Sequence, residues 1–153
     1  MVTEQLTPSQ IVEAYFEDVK KLRECIPYLE KLCGQRCSNT FNQDGLSQHS
    51  LVFPVYDSNL MRFVREAENT VFMNRNYHYS YSRMNMKTAE DELKVIANCT
   101  IQQMNVIGDI LSKYVLGGKT KSTLWSEAAR HGIFVAAIEK ADELIHFWET
   151  DRD

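Results

Sequence analysis

Apolar positions recur along this chain at intervals of three and four, broken by short polar stretches, and that rhythm predicts a helical protein. Ile11, Val12, Tyr15, Phe16, Val19 and Leu22 fall on one helical face. Thr7 stands where a cap belongs, Pro8 suits the first helical position, and Gln10 completes a Thr-x-x-Gln capping box. Pro27 has no N–H to donate, so the stripe that continues through Ile26, Leu29 and Leu32 reads as a kinked helix or two short ones. Gly34 suits a left-handed cap at its end. Residues 35–50 are polar and rich in Asn, Gln, Ser and Thr, the composition of a long surface loop.

Asp57 or Ser58 should cap the next helix, which turns Leu60, Met61, Val64 and Ala67 inward and Arg62, Arg65, Glu66 and Glu68 outward before stopping near Thr70. Thr88 ahead of Ala-Glu-Asp opens another, with acids at the positive end of the helix dipole. Thr100 and Gln103 form a second box, and the helix carrying Met104, Ile107, Leu111, Tyr114 and Val115 should end at Gly117-Gly118. A shorter helix is expected over Thr123 to Arg130. The last begins near Ile133 and has the clearest period, with Phe134, Ala137, Ile138, Ala141, Ile145 and Trp148 on one face.

Two stretches break the helical rhythm. Leu51 to Tyr56 is a short apolar run containing Pro54, which reads as extended. Tyr77, Tyr79 and Tyr81 alternate with polar residues, which is the period of a strand. Together they predict one small β-hairpin around residues 51–56 and 76–82, with ordered coil as the alternative. The chain as a whole, residues 1–153, predicts a single all-α domain, a compact bundle of five to six helices. Its core should include Val12, Tyr15, Phe16, Val19, Leu60, Val64, Ile107, Leu111, Trp125, Phe134, Ile138 and Ile145.

Composition supports this picture. Only 6 Gly and 3 Pro are present, too few for the turns of a sandwich or barrel. The net charge of -4 gives no global pull toward nucleic acid or anionic lipid. Met1 to Gln10 is polar, and no apolar run approaches the ~20 residues of a membrane span. The expectation is a cytoplasmic protein without a membrane partner, with Cys25, Cys33, Cys37 and Cys99 reduced.

Candidate chemistry is sparse. Leu116-Gly117-Gly118-Lys119-Thr120 resembles the end of a phosphate-binding loop, but the position five before Gly118 holds Lys113 and the run follows a helix. A Gly-Gly helix stop is the better reading. Cys25, Cys33, Cys37 and His49 offer three thiolates and an imidazole for zinc, yet Cys25 and Cys33 fall within helical stretches, where buried free thiols are expected. The histidines form no motif with Asp, Glu, Ser or Cys, and no paired-carboxylate pattern occurs. The reading therefore leans away from an enzyme and assigns no catalytic residue, cofactor or metal.

One segment stands out by charge. Arg62, Arg65, Arg75, Arg83 and Lys87, against Glu66 and Glu68, make the middle of the chain basic, and Tyr77, Tyr79 and Tyr81 lie within it. Arg and Tyr suit a protein interface, and cations beside aromatic faces also suit a phosphate backbone and unstacked bases. Tyrosines covering the core edge beside solvated arginines is the purely structural alternative. A second candidate is the helix-turn-helix-like region 104–130, where Lys119, Lys121, Ser122 and Thr123 would stand near a groove of DNA.

The stretch LSKYVLGGKTKSTLWSEAARHGIF resembles the closing segment of a family of small bacterial proteins of unknown function. There a helix ends in Tyr-Val, a short basic turn follows, then a Trp in a helix, an Ala and a Gly. The matching residues are Tyr114, Val115, Lys119, Trp125, Ala128 and Gly132, with lysines where the family usually shows arginines. The upstream FPVYDSNLMRFVREA is similar in kind. The resemblance implies a small intracellular bacterial protein, of a sort frequent beside mobile elements, and transfers no catalytic residue. The functional expectation is a non-catalytic protein-binding module, regulatory or inhibitory, acting through Arg62 to Lys87. The alternative is DNA or RNA binding through that segment or through region 104–130.

Overall fold

The computed structural model describes residues 7–32, 36–38, 52–54, 58–121 and 123–151. Among them the chain forms α1 (Pro8–Arg23), α2 (Ile26–Leu32), β1 (Arg36–Ser38), β2 (Val52–Pro54), α3 (Ser58–Glu68), α4 (His78–Arg83), α5 (Ala89–Asn98), α6 (Met104–Gly117), α7 (Thr123–Arg130) and α8 (Ile133–Asp151). A 3-10 turn, Ile101–Gln103, leads into α6. The fold is mainly helical, as the periodicity implies, with more helices than the five or six expected.

The helix signals act where the sequence puts them. Gln10 N–H donates to Thr7 Oγ1 at 3.2 Å and Thr7 N–H to Gln10 Oε1 at 2.9 Å, a reciprocal box ahead of Pro8. Thr88 and Asp91 make the same exchange at α5, whose first turn carries Glu90, Asp91 and Glu92. Pro27 resolves into two helices rather than a kink, with α1 closing at Arg23 and α2 opening at Ile26. Gly132 takes φ 74° between α7 and α8, a left-handed turn that a Cβ would oppose.

Two helices form the centre. Ten of the fourteen residues of α6 are buried, as befits a helix enclosed on most sides. It packs against α3, α4, α5, α7 and α8, and α8 packs in turn against α1, α2, α5, α6 and α7. Phe63, Phe134 and Tyr114 meet in the interior, with ring centroids 4.6 Å apart for Phe63–Phe134 and 6.2 Å for Tyr114–Phe134. Of the expected core, Val12, Val19, Leu60, Val64, Ile107, Leu111, Phe134, Ile138 and Ile145 are buried. Tyr15, Phe16 and Trp125 are half-buried against it.

The hairpin expectation is corrected. Val52–Pro54 is a strand, but it pairs in parallel with Arg36–Ser38, in the register Arg36 to Val52 and Ser38 to Pro54. Residues 76–82 take no part, because 78–83 is helical. The tyrosine alternation fits a helix as well as a strand. Tyr77 and Tyr81 are four apart and share a face, their rings 6.4 Å apart edge to face, while Tyr79 points the other way.

Candidate functional site

The structure divides the basic and aromatic segment between elements. α3, bearing exposed Arg62 and Arg65, packs against α1, α2, α6 and α7, whereas α4 rests on α6. Arg75 is exposed in the turn between them, and Lys87 is exposed in the turn that leads to α5. Arg62, Arg65, Arg75 and Lys87 have no ion-pair partner among the described residues. Tyr79 is 71% exposed on the outer side of α4; Arg83, four residues on, is exposed too, and its guanidinium donates to Ser80 Oγ at 3.3 Å. Tyr77 is half-buried, its ring tilted against that of His78 with centroids 4.3 Å apart, and Tyr81 turns inward.

What holds α4 in place is polar. Its one buried residue is Ser80, whose hydroxyl donates to the buried carboxylate of Asp109 on α6. Asn74 Nδ2 donates to the other Asp109 oxygen at 2.8 Å, and Asn74 N–H to Ser112 Oγ at 2.8 Å. The Ser112 hydroxyl lies 2.7 Å from the Gly108 carbonyl and 3.1 Å from that of Phe72. Gly108 permits this approach, since a Cβ there would stand 2.7 Å from the Phe72 carbonyl oxygen. Gly108, Asp109 and Ser112 thus form a small, polar stripe on an otherwise oily helix.

The next residue of α4 reaches a second carboxylate. Tyr81 Oη donates to Glu92 Oε2 at 2.5 Å, Tyr114 Oη to Glu92 Oε1 at 2.5 Å, and Lys113 Nζ pairs with Oε2 at 3.1 Å. Glu92 is 1% exposed. The Lys113 ammonium also lies over both tyrosine rings, 4.9 Å from the Tyr81 centroid and 4.8 Å from that of Tyr114. Burial, and after it the Glu92 carboxylate, push both phenols well above their ordinary range, so they remain protonated donors. Three donors thus satisfy the oxygens of this buried carboxyl group.

The chain itself supplies every donor just named, so these carboxylates act as fasteners. A shallow groove of about 360 Å³ opens elsewhere, between α5 and α8, lined by Leu93, Ile96, Ala97, Ala136, Glu139, Lys140 and Glu143; neither Glu92 nor Asp109 lines it. No group of three or more His, Cys, Asp or Glu side chains fit to hold a metal occurs among the described residues. Cys25 is a buried free thiol between α1 and α2; Cys37 sits in β1, and Cys33 and His49 lie outside the described residues.

The second candidate region is arranged differently from a free recognition helix. Lys119 pairs with Glu68, Lys121 is exposed, Thr123 is half-buried at the start of α7, and Ser122 lies outside the described residues. α7 is bounded by α2, α3, α6, α8 and β1, and its outward positions are Glu127 and Arg130. Trp125 serves packing: its indole N–H donates to the Val115 carbonyl at 3.0 Å.

Of the three tyrosines that the sequence groups with the cations only Tyr79 is exposed, and the fasteners beneath α4 went unnoticed. A signal was present. Gly108, Asp109 and Ser112 interrupt the apolar run of α6 at positions i, i+1 and i+4, which is one helical face. No family model, curated protein or solved structure matches this chain. No helix among the described residues is long and apolar enough to cross a membrane.

Proposed function

We propose that this chain is a non-catalytic binding module that presents α4 and its flanks to an acidic surface on a protein partner. The observation that carries the reading is Tyr79, a large ring 71% exposed beside Arg83 on a helix whose opposite side is anchored to two buried carboxylates. Tyrosine and arginine supply interface contact area with hydrogen-bonding capacity, and a pre-fixed helix loses little further freedom on binding. Arg75 and Lys87 extend the positive charge along the segment, and Arg62 and Arg65 add it on α3. The resemblance to small bacterial proteins and the regulatory or inhibitory role rest on the Tyr114, Val115, Lys119, Trp125, Ala128 and Gly132 pattern alone.

The test is site-specific photocrosslinking from position 79 in the native host, with position 94 on α5 as control. The expected outcome is one acidic protein captured from position 79 only, and lost when Arg75 and Arg83 are changed to Glu. Capture of nothing at 79 that is absent at 94 would refute the reading. An exposed ring between cations also suits single-stranded nucleic acid, and a gel shift separates the two. Binding to random sequence that weakens steeply with added salt would favour the nucleic-acid reading.

A further inference from the structure

We infer that α4 is a detachable element, latched onto α5 and α6 by Glu92 and Asp109 and able to open while the rest of the bundle stays folded. This rests on the proposed binding reading only for what the latched helix presents, not for the release itself.

α4 has six residues, and Ser80 is its sole buried one, so docking it removes little apolar surface from water. Tyr81 within it, and Tyr77 and Met84 on either side, are half-buried and add part of a face each. Docking instead takes two carboxylates out of water and repays them with hydrogen bonds from Ser80, Asn74 and Tyr81. Opening returns those carboxylates to solvent, which offsets much of what the broken bonds supplied. The rest of the fold differs. α8 buries Ile133, Phe134, Ala137, Ile138, Ala141 and Ile145, and cannot leave without exposing them.

The ends of the segment suit a hinge. Asn85 takes φ 53° just after α4, where the Met86 N–H donates to the Tyr81 carbonyl at 3.1 Å, a helix stop that ends the element sharply. On the other side, Asn76 N–H donates to Asn74 Oδ1 at 2.9 Å in a side-chain-capped turn. Met86 beyond one end and Phe72 before the other are buried, and they mark where the fixed structure resumes. Opening would swing Tyr79 and Arg83 away and uncover Glu92 on α5 and the stripe of Gly108, Asp109 and Ser112 on α6. The binding surface would then exist only in the latched state, and a partner that grips it would hold the latch shut.

Native-state hydrogen exchange on the free protein tests this without any partner. The Asn74 amide, bonded to Ser112, and those of Ser80, Tyr81, Met84 and Met86, bonded within a segment too short to stay helical once detached, should exchange through an opening insensitive to low denaturant, and those of α6 and α8 through a sensitive one. Tyr81→Phe removes one bond to a charged group and should speed the α4 amides roughly tenfold to a hundredfold. Ile138→Val, in α8, should speed the α8 amides severalfold and leave the α4 amides unchanged, because a local opening keeps Ile138 packed. Equal acceleration of both sets by Ile138→Val would show that α4 leaves only when the whole fold does. So would an α4 set unmoved by Tyr81→Phe, or one as denaturant-sensitive as α8. Because no partner is used, a failed photocrosslink and a failed exchange test point to different faults.

Discussion

Replacing Gly118 with Ala sets two effects of opposite sign against each other. Gly118 sits at φ -66°, ψ -15°, a right-handed conformation that any residue adopts. On backbone grounds alone the change should stabilise by about 0.4–1 kcal/mol, through the lower entropy of the unfolded chain. The surroundings oppose it. A Cβ at 118 would stand 2.1 Å from Trp125 Nε1, 2.4 Å from Cδ1 and 2.6 Å from Cε2, inside any permissible contact. The indole must withdraw, and with it goes the 3.0 Å bond from Nε1 to the Val115 carbonyl in the last turn of α6. Loss of that bond costs about 0.5–1.5 kcal/mol. Forcing a ring off its seat costs about 1–3 kcal/mol more. The steric effect wins, and Gly118→Ala should lower unfolding stability by roughly 1–3 kcal/mol after the backbone gain. Urea melts followed by circular dichroism read this directly. The same change in a Trp125→Leu background should be neutral or mildly stabilising. Equal destabilisation in both backgrounds, or none in the first, would show that the Gly118–Trp125 contact is not what requires glycine here.

Other outcomes follow from the buried phenols and thiols. The Tyr81 and Tyr114 phenols are raised far above the 10.0 of an unfolded chain, by burial first and then by Glu92. Their contribution is complete below pH 10.0 and is lost as pH climbs beyond it, by about 1.4 kcal/mol per pH unit for each phenol. Urea midpoints between pH 9 and 11.5 should trace that decline, and a Tyr81→Phe/Tyr114→Phe variant should flatten it; an unchanged slope would contradict the placement of both rings. Burial pushes the Cys99 thiol up to about 11 and raises that of Cys25 as well. At pH 8 neither should react with a disulfide reagent until urea is added, and mass mapping of either label on the folded protein would count against their enclosure.

Much of the architecture was written in short-range signals. The Thr7–Gln10 box, Pro8, Thr88 with its acids, and Gly132 each act on neighbours within four residues, and the structure uses each for a helix boundary. The start of α7 at Thr123 and of α8 at Ile133 were equally local matters. The tyrosine run misled because a period of two over five residues is also one turn of helix plus an opposite face. Only the tertiary partners decide, and Glu92 lies eleven positions away from Tyr81. The same distance problem hid the fasteners. Asp109 meets Ser80 across 29 positions and Asn74 across 35, pairings that no spacing rule reports. The exposed cations and Tyr79 were legible as a surface, because charge and ring chemistry need no tertiary knowledge to be noticed. The parallel pairing of β1 with β2 was not legible, since Arg36–Ser38 reads as polar loop.

The packing of α1 on α8 carries a consequence for how the chain is made. Arg23 Nη1 meets Asp142 Oδ1 at 3.2 Å across 119 positions of sequence. A ribosome adding roughly 5–20 residues per second therefore leaves the side of α1 that packs on α8 uncovered for on the order of ten seconds, although α3 is available to it sooner. During that wait the nascent helix is open to chaperones, to proteases and to its siblings on the same messenger. A premature stop ahead of Ile133 would leave α1 held chiefly by α3 and the turn at Ile101–Gln103, with the face that belongs against α8 uncovered.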